Sequence, residues 1–344
     1  MAGRPGDGSV FRAIRVFPVV MRLPSMRLAA PALSTFLLAL AWPSAASERT
    51  VAVTFDDLPG ASLTGSDVAT LRTNTAKLLA GLAEHRIPVV GFVNEGKLVV
   101  AGESSADAEG RAAVLRMWVD AGHELGNHTY SHRSLNRIPR DEFEADVVRG
   151  EPVTRDILRA RGRALRYFRH PFLHVGLELD KRRAFEAFLK DRGYTVAPVT
   201  IDNDEWVFAA VYADARKRGD TAEASRTADA YVAYMEGVFA FVEELARRVV
   251  GTEIPQVLLV HANALNADHF PRIAGALKAR GYRFATLEEA LRDPAYGLPD
   301  TYVGEWGVSW LHHWEVTAGR KRTPSPDPPS WVTKAYEALA RARP

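Results

Sequence analysis

The chain has 344 residues, 47% of them hydrophobic, enough to bury one large core of α/β type. A balance of 44 basic against 42 acidic residues leaves a net charge of +2, which argues against a general nucleic-acid surface. There is no cysteine, which excludes a disulfide framework, a cysteine nucleophile, a Cys-based zinc site and a lipid-modified N-terminal cysteine.

In chain order, residues 1–47 read as a segment to be set apart from the fold. Met26-Arg27-Leu28 gives a basic start, 33–42 an apolar centre, and Pro43-Ser44-Ala45-Ala46-Ser47 a run of small residues, the pattern of a secretory signal peptide. The apolar centre is too short for a stable membrane span. Met21 and Met26 suggest a true start downstream of Met1. The expectation is an exported, periplasmic or secreted protein.

The run Val51-Ala52-Val53-Thr54-Phe55 is a buried strand that ends in Asp56 and Asp57 before the Pro59-Gly60 turn. Neighbouring side chains on a strand face opposite ways, so the two carboxylates can serve different purposes. A helix capped at Ser66-Asp67 follows, then strands over 87–93 and 165–168, separated by helices over 111–121 and 141–161. A helix over 179–192, a strand over 194–201 and a strand over 257–260 come next. The stretch 207–250 reads as an inserted helical pair. A helix to about 280, a strand over 282–285 and a short helix over 287–291 close the domain. Alternating strands and helices imply βαβ units and a parallel sheet, open or closed into a barrel. The expected domain runs over 48–295, and 296–344 form an extension that packs on it. Trp306, Trp310 and Trp314 in that extension are expected to dock a helix, with stacking against sugar rings as the other use.

Asp56-Asp57, His128, Arg169, the 202–206 stretch and His261 each sit at or just past the C-terminal end of a strand. In barrel-like α/β folds that end gathers the catalytic side chains. His128 and His132 are four residues apart, on one face if the loop closes as a helical turn. With Asp57 they make a two-histidine, one-carboxylate set suited to Zn²⁺ or another divalent ion.

Thr54-Phe55-Asp56-Asp57, the segment 128–132, Arg169-His170-Pro171-Phe172, the segment 202–206 and Leu259-Val260-His261 occur in a familiar order. They resemble the five motifs of the metal-dependent polysaccharide deacetylases (carbohydrate esterase family four, the NodB-type homology domain), over about 49–291. The resemblance implies a distorted (β/α) barrel, TIM-like with fewer than eight regular strands, that hydrolyses an N- or O-acetyl group on a glycan. It assigns the metal to Asp57, His128 and His132, and the activation of metal-bound water to Asp56 as general base. Arg169 would hold Asp56 ionised, and His261 would be the general acid. Trp206 and Leu259 would wall the acetyl pocket, Pro171 would be a further substrate-binding residue, and the backbone N–H of Phe172 would face the oxyanion. The implied cofactor is Zn²⁺, with Co²⁺, Ni²⁺ or Mn²⁺ as the other candidates. The implied partner is an oligo- or polysaccharide such as peptidoglycan, chitin-like or xylan-like chains.

Two departures bear on these expectations. Phe172 is followed by Leu173-His174-Val175-Gly176, a longer loop with an extra imidazole, where the family has Tyr-Gly. Glu205 precedes Trp206 where the family has Asp, with Asp204 one residue earlier, so either carboxylate could support His261. The altered loops keep open an amidohydrolase acting on a small non-sugar C–N bond. The facial ligand set alone would also suit an Fe(II) oxygenase, and a non-catalytic carbohydrate-binding relative is the alternative of another class.

Overall fold

The computed structural model describes residues 49–61, 67–102 and 104–342; the signal-peptide assignment lies outside them. Its centre is β1 (Arg49–Leu58), a ten-residue strand buried on both faces over most of its length. Such a strand needs parallel neighbours, because only crossover connections put helices over both faces. It is surrounded by β2 (Val89–Val93), β3 (Glu124–Asn127), β4 (Tyr167–Phe168), β5 (Thr195–Val196), β6 (Gln256–His261) and β7 (Tyr282–Ala285). The hydrogen-bonded order is β5-β4-β3-β2-β1-β6, every pairing is parallel, and β7 pairs with the start of β1.

The ring closes through the end of the β5 segment. The Ala197 N–H donates to the Phe168 carbonyl at 2.8 Å, while Ile201 bridges to Leu258 in β6. The result is a distorted barrel with fewer than eight strands, as expected. The 194–201 strand of the sequence reading is thus split, its first half on β4 and its last residues on β6.

Period-two alternation then organises the interior. Ala52, Val90, Phe92, Tyr167, Ala197 and Val257 form one buried cluster, with Leu287 and Ala290 of the short helix after β7. Two or four residues further along the same strands come Thr54 and Asp56, Arg169, and Leu259 and His261. The apolar plug and the polar rim are therefore successive layers of the same inward positions. The alternate residues Val51, Val53 and Phe55 face the helices, where Phe55 meets Trp118 and Phe270 at centroid distances of 5.5 and 5.3 Å.

The outer layer is α1 (Val68–His85), α2 (Ser105–Asp120), α3 (Arg140–Arg149), α4 (Pro152–Arg159), α5 (Leu179–Asp191), α6 (Glu205–Lys217), α7 (Thr221–Val250) and α8 (Ala264–Ala279). Asp67 caps α1 by accepting the Thr70 N–H, and Ser104 with Asp107 forms a capping box on α2. The single helix expected over 141–161 is two. Gly150 lies against the Thr129–Tyr130 backbone, where a Cβ would approach to 2.8 Å, and Pro152 starts the second helix at its first turn. The pair expected over 207–250 is α6 and α7, which together connect the Ile201 bridge to β6. Beyond β7 follow α9 (Leu287–Ala290), α10 (Trp310–Thr317) and α11 (Ser330–Arg341).

Candidate active site

Register alone assembles the rim. Asp56 is the direct pairing partner of His261 across β1 and β6, and Asn127, next to His128, is the partner of Phe168, next to Arg169. Between Phe55 and Leu58 the β1–β2 pairing slips, so Asp56 and Asp57 lie on a bulge. Asp57 has a φ of 72°, which breaks the alternation and turns its carboxylate to the same rim as Asp56. Thr129 at 65°, His132 at 54°, Phe172 at 58° and Leu173 at 55° share this left-handed backbone. Non-glycine residues held there are costly, and such strain collects at functional sites.

The segment 128–132 is not the helical turn its spacing allowed. Left-handed Thr129 and His132 fold it into an irregular loop, closed by the His132 N–H donating to Thr129 Oγ1 at 3.0 Å. The two imidazoles still converge, with ring centroids 4.9 Å apart. Asp57 Oδ1 lies 3.4 Å from His132 Nε2 and 3.8 Å from His128 Nε2, and one ligand atom from each of the three residues falls within 4.8 Å of the others. Donors each about 2.0–2.2 Å from a shared ion are about 3–4 Å from one another, so the spacing fits a divalent cation.

The chemistry of the set agrees. Asp57 Oδ1 is buried with no hydrogen-bond partner among the described residues. His128 Nδ1 lies 2.9 Å from the Arg169 carbonyl, which fixes the proton on that nitrogen and leaves Nε2 free to ligate. Burial, helped by His132, pushes His128 well below its usual value, and burial lowers His132 too, so both are neutral imidazoles. Burial alone would raise Asp57, but Lys97 and the histidines around it hold its carboxyl well below the usual range.

Its neighbour behaves oppositely. Burial pushes Asp56 up to about 6, with Asp57 adding to the effect and Arg169 and His261 opposing it. Arg169 is fully buried, with Nη1 3.4 Å from Asp56 Oδ2 and Nη2 donating to Thr54 Oγ1 at 2.9 Å. Its guanidinium also lies over the Phe92 ring at 4.6 Å. Two adjacent carboxyls with affinities driven apart is the arrangement that separates an acid–base group from a ligand.

His261 Nδ1 lies 2.9 Å from Glu205 Oε2. Burial lowers this imidazole, but the Glu205 hydrogen bond and charge, with Asp57 and Asp56, push it up to about 9. Glu205 is fully buried, and its other oxygen takes hydrogen bonds from Asn263 and from Asn266 Nδ2, the latter at 2.8 Å. Between Asp204 and Glu205 the structure therefore picks Glu205. Asp204 is instead at the start of α6, its N–H donating to Tyr234 Oη at 2.9 Å, and its carboxyl is not on His261.

Leu259 is buried two residues before His261 on the same inward face. Pro171 is buried, while Phe172 is 53% exposed and sets its ring edge-on to His132 at 4.4 Å. Trp206 is turned partly away from the rim, its ring against Tyr336 of α11 at 5.0 Å. His174 reaches Ser134 Oγ at 2.7 Å rather than the aspartates. His123 packs on Trp118, and His170 sits among Phe168 and Phe185, so both are packed against aromatic rings. His269 is half-buried against Tyr212.

Three groups escaped the sequence reading. Lys97 places Nζ 3.3 Å from Asp57 Oδ2, and its position after β2 was the available signal. Asn263 and Asn266 follow His261 closely enough to have been suspected as its support. Asn263 also caps α8 by accepting the Asn266 N–H at 3.0 Å.

The fold and rim define a parallel α/β barrel whose strand ends gather a candidate cation site, an isolated carboxyl and a carboxylate-backed histidine. Residues 44–194 match the family model described as polysaccharide deacetylase. That segment includes Asp56, Asp57, His128, His132 and Arg169; Glu205 and His261 lie beyond it. A peptidoglycan-N-acetylglucosamine deacetylase of Bacillus cereus is 24% identical over 69% of this chain and 66% of its own length. A chitooligosaccharide deacetylase of Sinorhizobium fredii is 30% identical over 36% of this chain and 46% of its own length. The chain thus spans less than two thirds of each of these curated relatives. A solved polysaccharide deacetylase from Bacillus cereus is 19% identical, covering 69% of this chain and 91% of that one, with a TM-score of 0.46.

Proposed function

We propose that this chain is an exported, metal-dependent hydrolase that removes acetyl groups from an amino-sugar-containing glycan of the peptidoglycan or chitooligosaccharide kind. The observation that carries the reading is the strand pairing of Asp56 with His261, which sets a carboxyl of raised affinity and a protonated imidazole beside the Asp57–His128–His132 donor set. Zn²⁺ suits two neutral imidazoles and one carboxylate, with Co²⁺, Ni²⁺ and Mn²⁺ as the competitors. When bound, the ion supplies a Lewis acid that polarises the acyl carbonyl and makes water more acidic.

The chain's own residues do the rest. Asp56 takes the proton from the attacking water, and Arg169 keeps it oriented toward the rim. As the new C–O bond forms, the Phe172 N–H is the donor offered to the developing oxyanion, a contribution worth about 3 kcal/mol. His261, held by Glu205, gives its proton to the departing nitrogen as the C–N bond breaks, which leaves acetate and a free amine. Leu259 and Pro171 form the apolar wall for the acetyl methyl, with Trp206 at its outer edge.

Acetate release from N-acetylchito-oligosaccharides, peptidoglycan fragments and acetylxylan tests the proposal. Zinc-loaded protein should release acetate from at least one, and chelation should abolish it. No acyl release from any of them would refute it. Export is supported by the composition of 26–47, and appearance of a shortened chain in the periplasm or medium would test it.

A further inference from the structure

The three C-terminal tryptophans do not behave alike. Trp310 and Trp314 are buried, and Trp310 stacks on His313 at 4.5 Å, while Trp306 is 71% exposed. Docking of a helix thus accounts for two of them and leaves Trp306 without that explanation. Nor does it sit on a loose tail. Tyr302 Oη donates to the Trp306 carbonyl at 2.8 Å, and Arg182 holds the Tyr302 carbonyl at 2.7 Å.

The same loop is fastened to both loops of the rim. Asn136, four residues past His132, donates to the Gly304 carbonyl at 2.9 Å and accepts the Gly176 N–H at 2.9 Å. Gly307 lies so close to Phe172 that a Cβ there would fall 1.7 Å from the Phe172 carbonyl oxygen. Phe172 in turn touches the ring of His132. Trp306 is therefore one residue, about 3.8 Å of backbone, from a glycine packed on the rim. Phe172, Leu177 and Trp306, exposed by 53%, 47% and 71%, all lie on these adjoining segments, with exposed Glu305 beside them.

We propose that the 302–307 loop adds a sugar-binding subsite to the catalytic rim, in which Trp306 stacks on the pyranose next to the acetylated one. The inference rests on the glycan reading above. A pyranose has an apolar C–H face edged by hydroxyls, which matches an aromatic plate with a carboxylate alongside. A glycan bound at the cation site runs over Phe172, and the loop is already held in place, so stacking there orders little further backbone.

The test is titration of N-acetylchitotetraose into the full chain in an Asp56→Asn background, with aryl acetate hydrolysis measured in the native background. Trp306→Ala should weaken tetrasaccharide binding about three- to tenfold, Trp306→Phe should retain most of it, and aryl acetate turnover should be unchanged in both. Gly307→Ala, which must displace the loop, should also weaken binding with Trp306 still present. Unchanged tetrasaccharide affinity in Trp306→Ala, with wild-type protein still releasing acetate from it, overturns the subsite alone. No tetrasaccharide binding in the Asp56→Asn background with Trp306 intact, together with no acetate release by the native chain from any of the glycans above while aryl acetate is still hydrolysed, overturns the subsite and the glycan reading together. Trp306-dependent binding to lipid vesicles with no effect on the glycan overturns the subsite in favour of a surface anchor.

Discussion

At the rim, Asp56 and Asp57 each keep one buried oxygen with no hydrogen bond among the described residues. At the clamp that holds the C-terminal extension, both oxygens of Asp300 are shared. Oδ1 accepts from Arg182 Nη1 at 2.9 Å and the Tyr302 N–H at 3.0 Å, and Oδ2 from Arg182 Nη2 at 2.6 Å, with His313 Nδ1 at 2.9 Å. His313 is itself stacked between Tyr302 and Trp310. One cluster leaves carboxylate lone pairs open and stores left-handed backbone around them; the other pairs both oxygens of Asp300 with Arg182, Tyr302 and His313. Buried charge serves binding where it is unsatisfied and stability where it is fully paired.

Substitutions should separate the two. The largest effect is expected from Asp56→Asn, which should lower kcat by about 10²–10⁴-fold. Its thermal midpoint should change little, because asparagine keeps an oxygen for Arg169 and relieves a charge that burial already disfavours; a loss of fold in circular dichroism would place Asp56 with the clamp instead. Asp300→Ala should do the reverse. Taking the two-pronged carboxylate from buried Arg182, which keeps Glu186 at 2.8 Å and the Tyr302 carbonyl at 2.7 Å, costs about 3 kcal/mol, read as a lower denaturation midpoint, with aryl acetate turnover of the folded fraction little changed.

Acid should sharpen the difference. Burial would raise Asp300, but His313 and Arg182 hold it well below its usual 3.8. The folded state therefore binds fewer protons than the unfolded one. Its contribution is present above about pH 4 and lost as pH falls through the lower folded value. Stability of the wild type should drop more steeply below pH 4 than that of Asp300→Ala, and parallel curves would contradict this. The smallest effect is expected at Glu205→Gln. Without the carboxylate that raises it, His261 should lose its proton at lower pH, so the alkaline limb of the kcat/KM profile should move down from near pH 9 while the pH 7 rate changes less. An unmoved limb would mean that His261 is not the proton donor.

Much of this architecture was legible because it follows period-two strands. The 51–55 and 257–260 runs announced β1 and β6, and their ends announced Asp56 and His261. What escaped depends on breaks in that regularity. The bulge and the left-handed backbone that turn Asp57 inward leave no mark in a pattern of apolar residues. Whether Asp204 or Glu205 backs His261 depends on where α6 begins, and one residue on a helix is a rotation of about 100°. The break at Gly150 reflects a close approach to Thr129, a contact between distant segments. The split among Trp306, Trp310 and Trp314 likewise follows from α10 starting at Trp310, so that the first of the three falls in a loop.

The most direct measurement is anomalous diffraction at the zinc edge from crystals of the protein grown with Zn²⁺. A single ion about 2.0–2.2 Å from an Asp57 oxygen and from Nε2 of His128 and His132, with Asp56 and His261 free on either side, is the predicted result. An ion ligated by Asp56 or His261, or bound only away from this rim, would contradict the account.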